Sequence, residues 1–345
     1  MKTATDLAQR LGRRAEAVCR YYLSAGHREG RYWLVGDARN TPGRSMFVRL
    51  TGPESGKGAA GKWTDAATGE HGDLLDLIRE SCGLVDFTDI VNEARAFLRM
   101  QPYEPEPQSR QRLARMPTGS LEAARRLLGR SKPISGTIVE AYLRERGIAH
   151  LQGTESLRFH PRCYYRPDKH SPSETWPAMI AAVTDLNGQI TGAHRTWLDP
   201  SGRGKAPIDT PRRAMGALLG NAVRLGIGDD VMAAGEGIET VLSLRSVLLD
   251  MPMLAALSAA HLAAVLFPPR LRRLYIARDN DPAGDWACNT LTARARTAGI
   301  DAIMLSPQRS DFNDDLRNLG FEALRTSIRM QVAPDDVGRF MSNAA

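Results

Sequence analysis

Five side chains that carry oxygen ligands follow predicted strands in the last third of the sequence. They are, in order, Glu236, Asp279, Asp281, Asp311 and Asn313. Oxygen ligands suit hard cations such as Mg²⁺ or Mn²⁺, and these ions typically serve phosphoryl chemistry. Two carboxylates 4 Å apart repel by about 4 kcal/mol at an effective dielectric near 20, so a cluster of them favours a bound cation. We therefore predict a Mg²⁺ or Mn²⁺ site for phosphoryl chemistry.

Helix capping is the alternative explanation for these acids. Acidic residues are common in the first turn of helices, where the helix dipole favours them, and for any single cluster this explanation is the stronger one. The order Glu-Gly, Asp-x-Asp and Asp-x-Asn on successive strands makes a metal site the better interpretation of the whole set. Gly235 and Gly237 beside Glu236 would also let a phosphate approach the backbone closely.

The elements that must position these acids alternate from residue 223 onward. Short apolar segments that predict strands are separated by segments that predict helices; the strands cover 231–235, 253–257, 272–278 and 301–306. Such alternation is typical of βαβ units with a mainly parallel sheet. Ligands of these sheets bind at the carboxyl ends of the strands. The predicted fold class is α/β, with the acids gathered at one edge of a parallel sheet.

The rest of the chain predicts further domains. Residues 1–100 combine predicted helices and strands in a small α+β domain, and the proline-rich residues 101–117 predict a linker. Residues 118–222 begin with helical segments and continue as short strand-like runs rich in glycine and proline. Residues 223–325 form the predicted α/β domain, and 326–345 are a C-terminal tail.

Local signals in the first domain are clear. Residues 5–24 have apolar side chains at helical spacing, and 31–36 and 45–50 read as strands. Residues 71–83 predict a short helix with Asp73 near its start and Gly83 after its end.

Charge and cysteine content narrow the class of protein. The formal net charge is +7, from 46 Lys and Arg against 39 Asp and Glu, which favours a polyanionic partner without choosing between nucleic acid, anionic lipid and mere solubility. The four cysteines, Cys19, Cys82, Cys163 and Cys288, form no CxxC pair, so we expect no zinc. Scattered thiols, with no signal peptide and no long apolar segment, predict a cytoplasmic protein.

The acidic order resembles that of the Toprim domain, which bacterial primases, topoisomerases and certain nucleases share. The pattern EG…DxD…DxN, with DNDPAG in the middle, covers residues 223–320. The resemblance implies that Glu236 ligates metal or acts as general acid or base, and that Asp279 and Asp281 hold Mg²⁺. Asp311 and Asn313 fall where the family has further acidic ligands. Two departures are Asn313 itself and Glu239, where many members have Asp.

Two other segments resemble parts of bacterial-type primases. GAHRTWLDPSGRGKAPIDTPRRAMGAL (192–218) is similar to the basic subdomain that precedes Toprim, which implies nucleotide or template binding by Arg195, Lys205, Arg212 and Arg213. The first domain resembles, more distantly, the zinc-binding domain of those primases with its cysteine ligands lost. It would serve template recognition, with Arg28, Arg31, Trp33 and Trp63 as predicted contacts.

The layout as a whole is most similar to short Toprim primase-like proteins of plasmids, phages and other mobile elements. It implies a primase that makes short primers on single-stranded DNA from nucleoside triphosphates, with a helicase or another replication protein as a candidate partner. A Toprim nuclease, with water as the nucleophile, is the second hypothesis. A non-catalytic nucleic-acid-binding replication factor is the third, because of Asn313 and the missing zinc ligands.

Overall fold

The computed structural model describes residues 4–56, 58–100, 118–167 and 171–341. These described residues form two compact units, one within 1–123 and 214–219, the other within 124–213 and 220–345. The predicted linker over 101–117 lies outside the described residues.

The described part of the first unit combines helices α1 to α4 with an antiparallel sheet. The helices are α1 (Ala4–Gly12), α2 (Ala15–Tyr22), α3 (Leu74–Cys82) and α4 (Phe87–Met100). The sheet has the order β1 (His27–Glu29), β2 (Tyr32–Val35), β3 (Met46–Arg49), β4 (Trp63–Asp65) and β5 (His71–Gly72). The predicted strands at 31–36 and 45–50 are thus present as β2 and β3.

Caps fix the helix boundaries in the first unit. The Asp73 side chain accepts a hydrogen bond from the Leu75 amide at 2.9 Å and completes a capping box with Asp76. Gly83 ends α3 in the left-handed conformation. The helix predicted over 5–24 is divided, because α1 ends at Gly12 and α2 begins at Ala15. Gly12 packs closely, since a Cβ there would come within 2.8 Å of the Ala60 carbonyl oxygen.

The two tryptophans of the first unit belong to its core. Trp33 is 4% exposed and its indole donates a hydrogen bond to the Leu23 carbonyl. Trp63 is 6% exposed and donates to the Asp73 carbonyl. The sequence interpretation of these two side chains as template contacts was therefore wrong. Their ring area stabilises the fold, and their N–H groups are satisfied internally.

The second unit contains most of the remaining elements. Its helices are α6 (Ile138–Glu145), α7 (Ile238–Val247), α8 (Ala259–Ala264), α9 (Pro282–Thr297), α10 (Phe312–Leu319), α11 (Phe321–Arg329) and α12 (Pro334–Phe340). Its strands are β6 (Leu157–Tyr165), β7 (Glu174–Thr184), β8 (Ile190–Trp197), β10 (Ala222–Leu225), β11 (Val231–Gly235), β12 (Met253–Ala255), β13 (Arg273–Ala277) and β14 (Asp301–Leu305). The boundary between the units passes through α5 (Thr118–Gly129) and β9 (Arg212–Gly216).

One sheet runs through the second unit in the order β14-β13-β11-β12-β10-β7-β8-β9, and β6 also pairs with β7. The pairs β11–β12, β11–β13 and β13–β14 are parallel, whereas β10–β12, β10–β7 and β7–β8 are antiparallel. The sheet therefore has a parallel half and an antiparallel half. The predicted α/β fold with a parallel sheet in the last third is confirmed.

The parallel half is apolar on both faces. All residues of β11 and β12 are buried, as are the last four of β13, which is typical of a sheet that helices cover on both sides. Among the described residues, no helix combines the length and apolarity that a membrane crossing requires.

Candidate active site

The acids lie just after the carboxyl ends of the parallel strands, at one edge of the sheet. Glu236 directly follows β11, and Asp279 comes two residues after the end of β13. Because Ala234 of β11 lies opposite Ile276 of β13 in parallel register, the two strands end side by side. Asp311 begins α10 as its N-cap, after the neighbouring strand β14.

These acids line a cavity of about 110 Å³ that lies within the second unit. Basic and apolar side chains of the same unit complete the wall. The lining residues are Arg146, His194, Lys205, Arg212, Glu236, Gly237, Ile238, Glu239, Thr240, Leu257, Asp279 and Asp311. The structure thus brings Glu236, Asp279 and Asp311 together, as the sequence predicts.

Burial and mutual repulsion raise the pKa values of the acids. Burial first, and then the Asp281 carboxylate, raise the pKa of Glu236 to about 7. Burial, followed by the charges of Glu236, Asp311 and Asp281, raises the pKa of Asp279 to about 8. Burial also raises the pKa of Asp311. Such mutual repulsion shows that the carboxylates share one small region.

Helix capping accounts for two of the acids. Asp281 caps α9 by accepting the Gly284 amide at 2.7 Å, and Asp311 caps α10 by accepting the Asp314 amide at 2.7 Å. Gly284 is required at this turn, because a Cβ there would come within 2.2 Å of the Asp279 carbonyl oxygen. The capping explanation is therefore correct for Asp281 and Asp311, and their helices hold both carboxyl groups at the cluster.

Capping does not account for Asp279. Its Oδ1 atom is buried and has no hydrogen-bond partner among the described residues. An unpaired buried carboxylate oxygen beside other carboxylates is costly without a cation. The residues therefore fit a hard divalent ion with oxygen ligands.

Lys205 and Glu239 form an ion pair in the wall of the same cavity. The Nζ atom of Lys205 lies 3.6 Å from Oε1 of Glu239, and the Tyr142 hydroxyl donates to the same oxygen at 2.6 Å. Burial raises the pKa of Glu239, but Lys205, Tyr142 and Arg146 outweigh burial and lower it to about 2. Glu239 is thus the acidic partner of Lys205 in the cavity wall.

The predicted basic residues divide between the cavity and other surroundings. Lys205 and Arg212 line the cavity. Arg195 stacks on the Trp197 ring at 5.0 Å and is not among the lining residues. Arg213 donates to the carbonyls of Arg166 at 2.6 Å and Pro167 at 2.9 Å.

The structure does not bring Asn313 to the cavity. Its amide nitrogen donates to the Arg146 carbonyl at 2.9 Å and to the Ser243 hydroxyl at 3.0 Å. Its oxygen accepts from Nη1 of Arg146 at 2.9 Å. The amide therefore holds Arg146 in place. Metal binding by Asn313 stays a prediction, and it would require the amide to give up some of these three hydrogen bonds.

Sequence reasoning missed two titratable residues of the cavity wall, His194 and Arg146. His194 is next to Arg195, which the sequence analysis named, and strand alternation turns neighbours to opposite faces. Arg146 follows α6, about 90 residues before the first acid. An i, i+4 pairing of Tyr142 with Arg146, whose guanidinium stacks on that ring at 5.1 Å, is the signal that could have pointed to it.

Comparison with known proteins identifies two segments. Residues 231–322 match the family described as Toprim domain, and residues 118–225 match a domain of unknown function (DUF7146). The cavity thus draws its acids from the first segment and Arg146, His194, Lys205 and Arg212 from the second. A comparison with the curated proteins finds no match.

Solved primases are similar to this chain at low identity. The zinc-binding and RNA polymerase domains of the Aquifex aeolicus primase share 14% identity over 94% of this chain and 85% of that one, with a TM-score of 0.45. The E. coli primase catalytic core shares 13% over 64% and 88%, with a TM-score of 0.41.

The primase fragment of the bacteriophage T7 primase-helicase protein shares 10% identity over 81% of this chain and 97% of that one, with a TM-score of 0.38. The family match over residues 231–322 spans all five oxygen-bearing side chains, from Glu236 to Asn313. Residues 231–322 of this chain form a Toprim domain.

Proposed function

We propose that this chain is a primase-type nucleotidyltransferase that joins nucleotides into short primers on single-stranded DNA. The observation that carries the proposal is the cavity itself, a small volume that the Toprim acids line together with Lys205 and Arg212. Acids alone would serve a nuclease equally well. Two cations opposite the acids suit a ligand with several phosphates, such as a nucleoside triphosphate.

The reaction joins a 3′-hydroxyl to the α-phosphorus of a nucleoside triphosphate. A new P–O bond forms, the bond to pyrophosphate breaks, and the hydroxyl proton must go to a base. Glu236 fits that role because its pKa is raised to about 7, close to the pH at which a general base works best. We therefore assign the proton transfer to a carboxylate oxygen of Glu236.

The other acids and the cations hold the phosphates. Asp279, Asp281 and Asp311 would bind Mg²⁺ or Mn²⁺, with Glu236 as a further candidate ligand. When bound, the ion supplies charge stabilisation to the phosphoryl oxygens. Lys205 and Arg212 would bind the β- and γ-phosphates and offset the charge that develops on departing pyrophosphate.

The remaining assignments are part of the same proposal. Single-stranded DNA and nucleoside triphosphates are the expected ligands, and a replicative helicase is a candidate partner. Arg195 and Arg213 lie off the cavity wall, so template contact is the role that suits them. We keep the domain boundaries given by the sequence, with a zinc-less primase-like domain at 1–100 and a Toprim domain at 223–325.

The test is primer synthesis on circular single-stranded DNA with labelled nucleotides and Mg²⁺ or Mn²⁺. Wild type should make short labelled products, and Asp279→Asn should make none. Asp229→Asn is the matched control, because Asp229 is exposed and precedes β11 at the opposite end of that strand. Metal-dependent loss of the DNA without new products would show a nuclease instead. DNA binding without either reaction would show a non-catalytic binding protein.

A further inference from the structure

His194 is a buried histidine in the wall of the cavity. It lies on β8 and is 8% exposed. Its partner across the sheet is Ala181 of β7, a small residue that leaves the imidazole room. The position gives His194 access to whatever occupies the cavity, next to the cations Lys205 and Arg212.

The Nδ1 atom of His194 is fully buried and has no hydrogen-bond partner among the described residues. The other buried histidine of this unit, His261, differs in this respect: its Nδ1 lies 2.9 Å from the Ser258 hydroxyl oxygen. A buried polar group without a partner costs free energy. Such a group in a cavity wall is a reason to look for a partner on the ligand.

The surroundings of His194 keep its ring uncharged. Burial first, and then the positive charges of Arg212, Lys205 and Arg195, lower the pKa of His194 to about 3, although Glu239 acts in the opposite direction. A neutral imidazole donates from one nitrogen and accepts at the other. It therefore suits an uncharged group that can also donate and accept, such as a hydroxyl, better than it suits a phosphate.

A nucleotide offers few groups of this kind. Base edges differ between the four nucleotides, and primer synthesis must accept all four. The 3′-hydroxyl must stay available for the next attack. The 2′-hydroxyl is both donor and acceptor, is shared by all ribonucleotides and is absent from deoxyribonucleotides.

We propose that His194 hydrogen-bonds the 2′-hydroxyl of the nucleotide in this cavity and so favours ribonucleotides over deoxyribonucleotides. The inference rests on the proposed function, because it requires that a nucleoside triphosphate enters the cavity. His194 is then a specificity-determining residue, whereas Lys205 and Arg212 bind the phosphates that both kinds of nucleotide share.

The test is equilibrium binding of ATP and of dATP to the full chain with Mg²⁺ present. Wild type should bind ATP about fivefold to tenfold more tightly, the effect expected of one hydrogen bond. His194→Phe, which keeps a ring of similar size, should bind both equally. His194→Gln, which restores an amide donor and acceptor, should recover part of the preference. Lys205→Ala is the matched control, since it should weaken both nucleotides by the same factor.

The outcomes separate this inference from the proposed function. A His194→Phe protein that is folded by thermal unfolding and still prefers ATP overturns the role of His194. If His194→Phe does not fold, an undiminished preference in His194→Ala overturns it equally. Equal binding by wild type, with primers still made, overturns the inference and leaves the primase proposal standing. If the ATP preference depends on His194 but no primers are made, the primase proposal is overturned and the inference about His194 stands. A wild type that binds neither nucleotide overturns both.

Discussion

The two halves of the second unit's sheet contribute to the cavity in different ways. In the parallel half, Glu236 and Asp279 follow the ends of β11 and β13. In the antiparallel half, His194 lies within β8 and Arg212 begins β9. Residues at strand ends converge because parallel strands end at one edge. Residues within a strand reach the cavity only if the alternation of the strand turns them toward it.

This difference supplies matched controls. Each cavity residue of the antiparallel half has a basic or polar neighbour whose side chain lies elsewhere, as Arg212 has Arg213 and His194 has Arg195. For the acids, an acidic residue at the opposite end of a strand, Asp229, is the matched control. Variants of the acids in the parallel half should therefore lower the rate of nucleotide transfer. Variants of His194 and Arg212 in the antiparallel half should weaken nucleotide binding.

The largest effect is expected from the acids. Asp279→Asn and Glu236→Gln should each lower the rate of nucleotide transfer by 10²-fold or more, on the order of what a positioned acid–base or charged group contributes. The rate constant for primer synthesis at saturating nucleotide measures this. Asp229→Asn should keep the wild-type rate, and rates within twofold of wild type for both acid variants would contradict the assignment.

The pair Arg212 and Arg213 sharpens the comparison within one strand. Arg212→Ala should raise the KM for nucleotide by about tenfold or more, because a charged hydrogen bond contributes about 1.5–3 kcal/mol. Arg213→Ala should instead lower stability by a similar free energy, because it removes bonds to the carbonyls of Arg166 and Pro167. Steady-state kinetics and denaturant unfolding of both variants measure the two effects. A raised KM for Arg213→Ala and a loss of stability for Arg212→Ala would show that Arg213, and not Arg212, lies in the cavity.

Asn313 tests whether the last acidic motif binds metal or holds the fold. Asn313→Ala should lower the free energy of unfolding by about 1–3 kcal/mol, because it leaves Arg146 and Ser243 without their bonds to the amide. Chemical denaturation measures the loss. Metal affinity should stay close to wild type. A weakened metal site in a variant of unchanged stability would instead support the ligand role that the sequence predicts.

The smallest effect concerns pH. In an unfolded chain the carboxyl pKa values are about 4, whereas burial and neighbouring acids raise those of Glu236 to about 7 and Asp279 to about 8. Between these values the folded protein binds more protons than the unfolded one, so stability falls as pH rises from about 4 to 8. Mg²⁺ should reverse this loss, since it replaces the protons.

Thermal unfolding at pH 5 and pH 8, with and without Mg²⁺, checks the sign. Mg²⁺ should raise the midpoint more at pH 8 than at pH 5 in the wild type. Asp279→Asn should lose most of the difference between the two pH values. An equal effect of Mg²⁺ at both pH values in the wild type would mean that the ion does not bind at these acids.

The acids could be predicted from the sequence because their positions depend on local signals. Apolar strands alternate with helices, and each acid comes where a strand has ended. The register of the antiparallel strands is harder to predict from the sequence. A shift of one residue turns every side chain to the opposite face of the sheet, so the sequence alone does not say which side chains face the cavity. Arg195 was named from the resemblance to primases and His194 was not named, although His194 lines the cavity.

Long-range packing explains the other differences. Gly12 packs against the Ala60 backbone, which is distant in the sequence, so no local pattern shows this contact. Trp33 and Trp63 are buried because strand alternation turns them inward, although tryptophan beside basic residues also suits a nucleic-acid surface. Arg146 reaches the cavity through its bond to Asn313, which is 167 residues away in the chain.

Binding of Mn²⁺, followed by electron paramagnetic resonance of the free ion, tests the central claim most directly. The claim is that the Toprim acids at the strand ends form one site for a divalent cation. The account predicts that wild type and Asp229→Asn remove Mn²⁺ from solution alike, and that Asp279→Asn and Glu236→Gln bind it at least tenfold more weakly. Equal Mn²⁺ affinity in all four proteins would contradict the account.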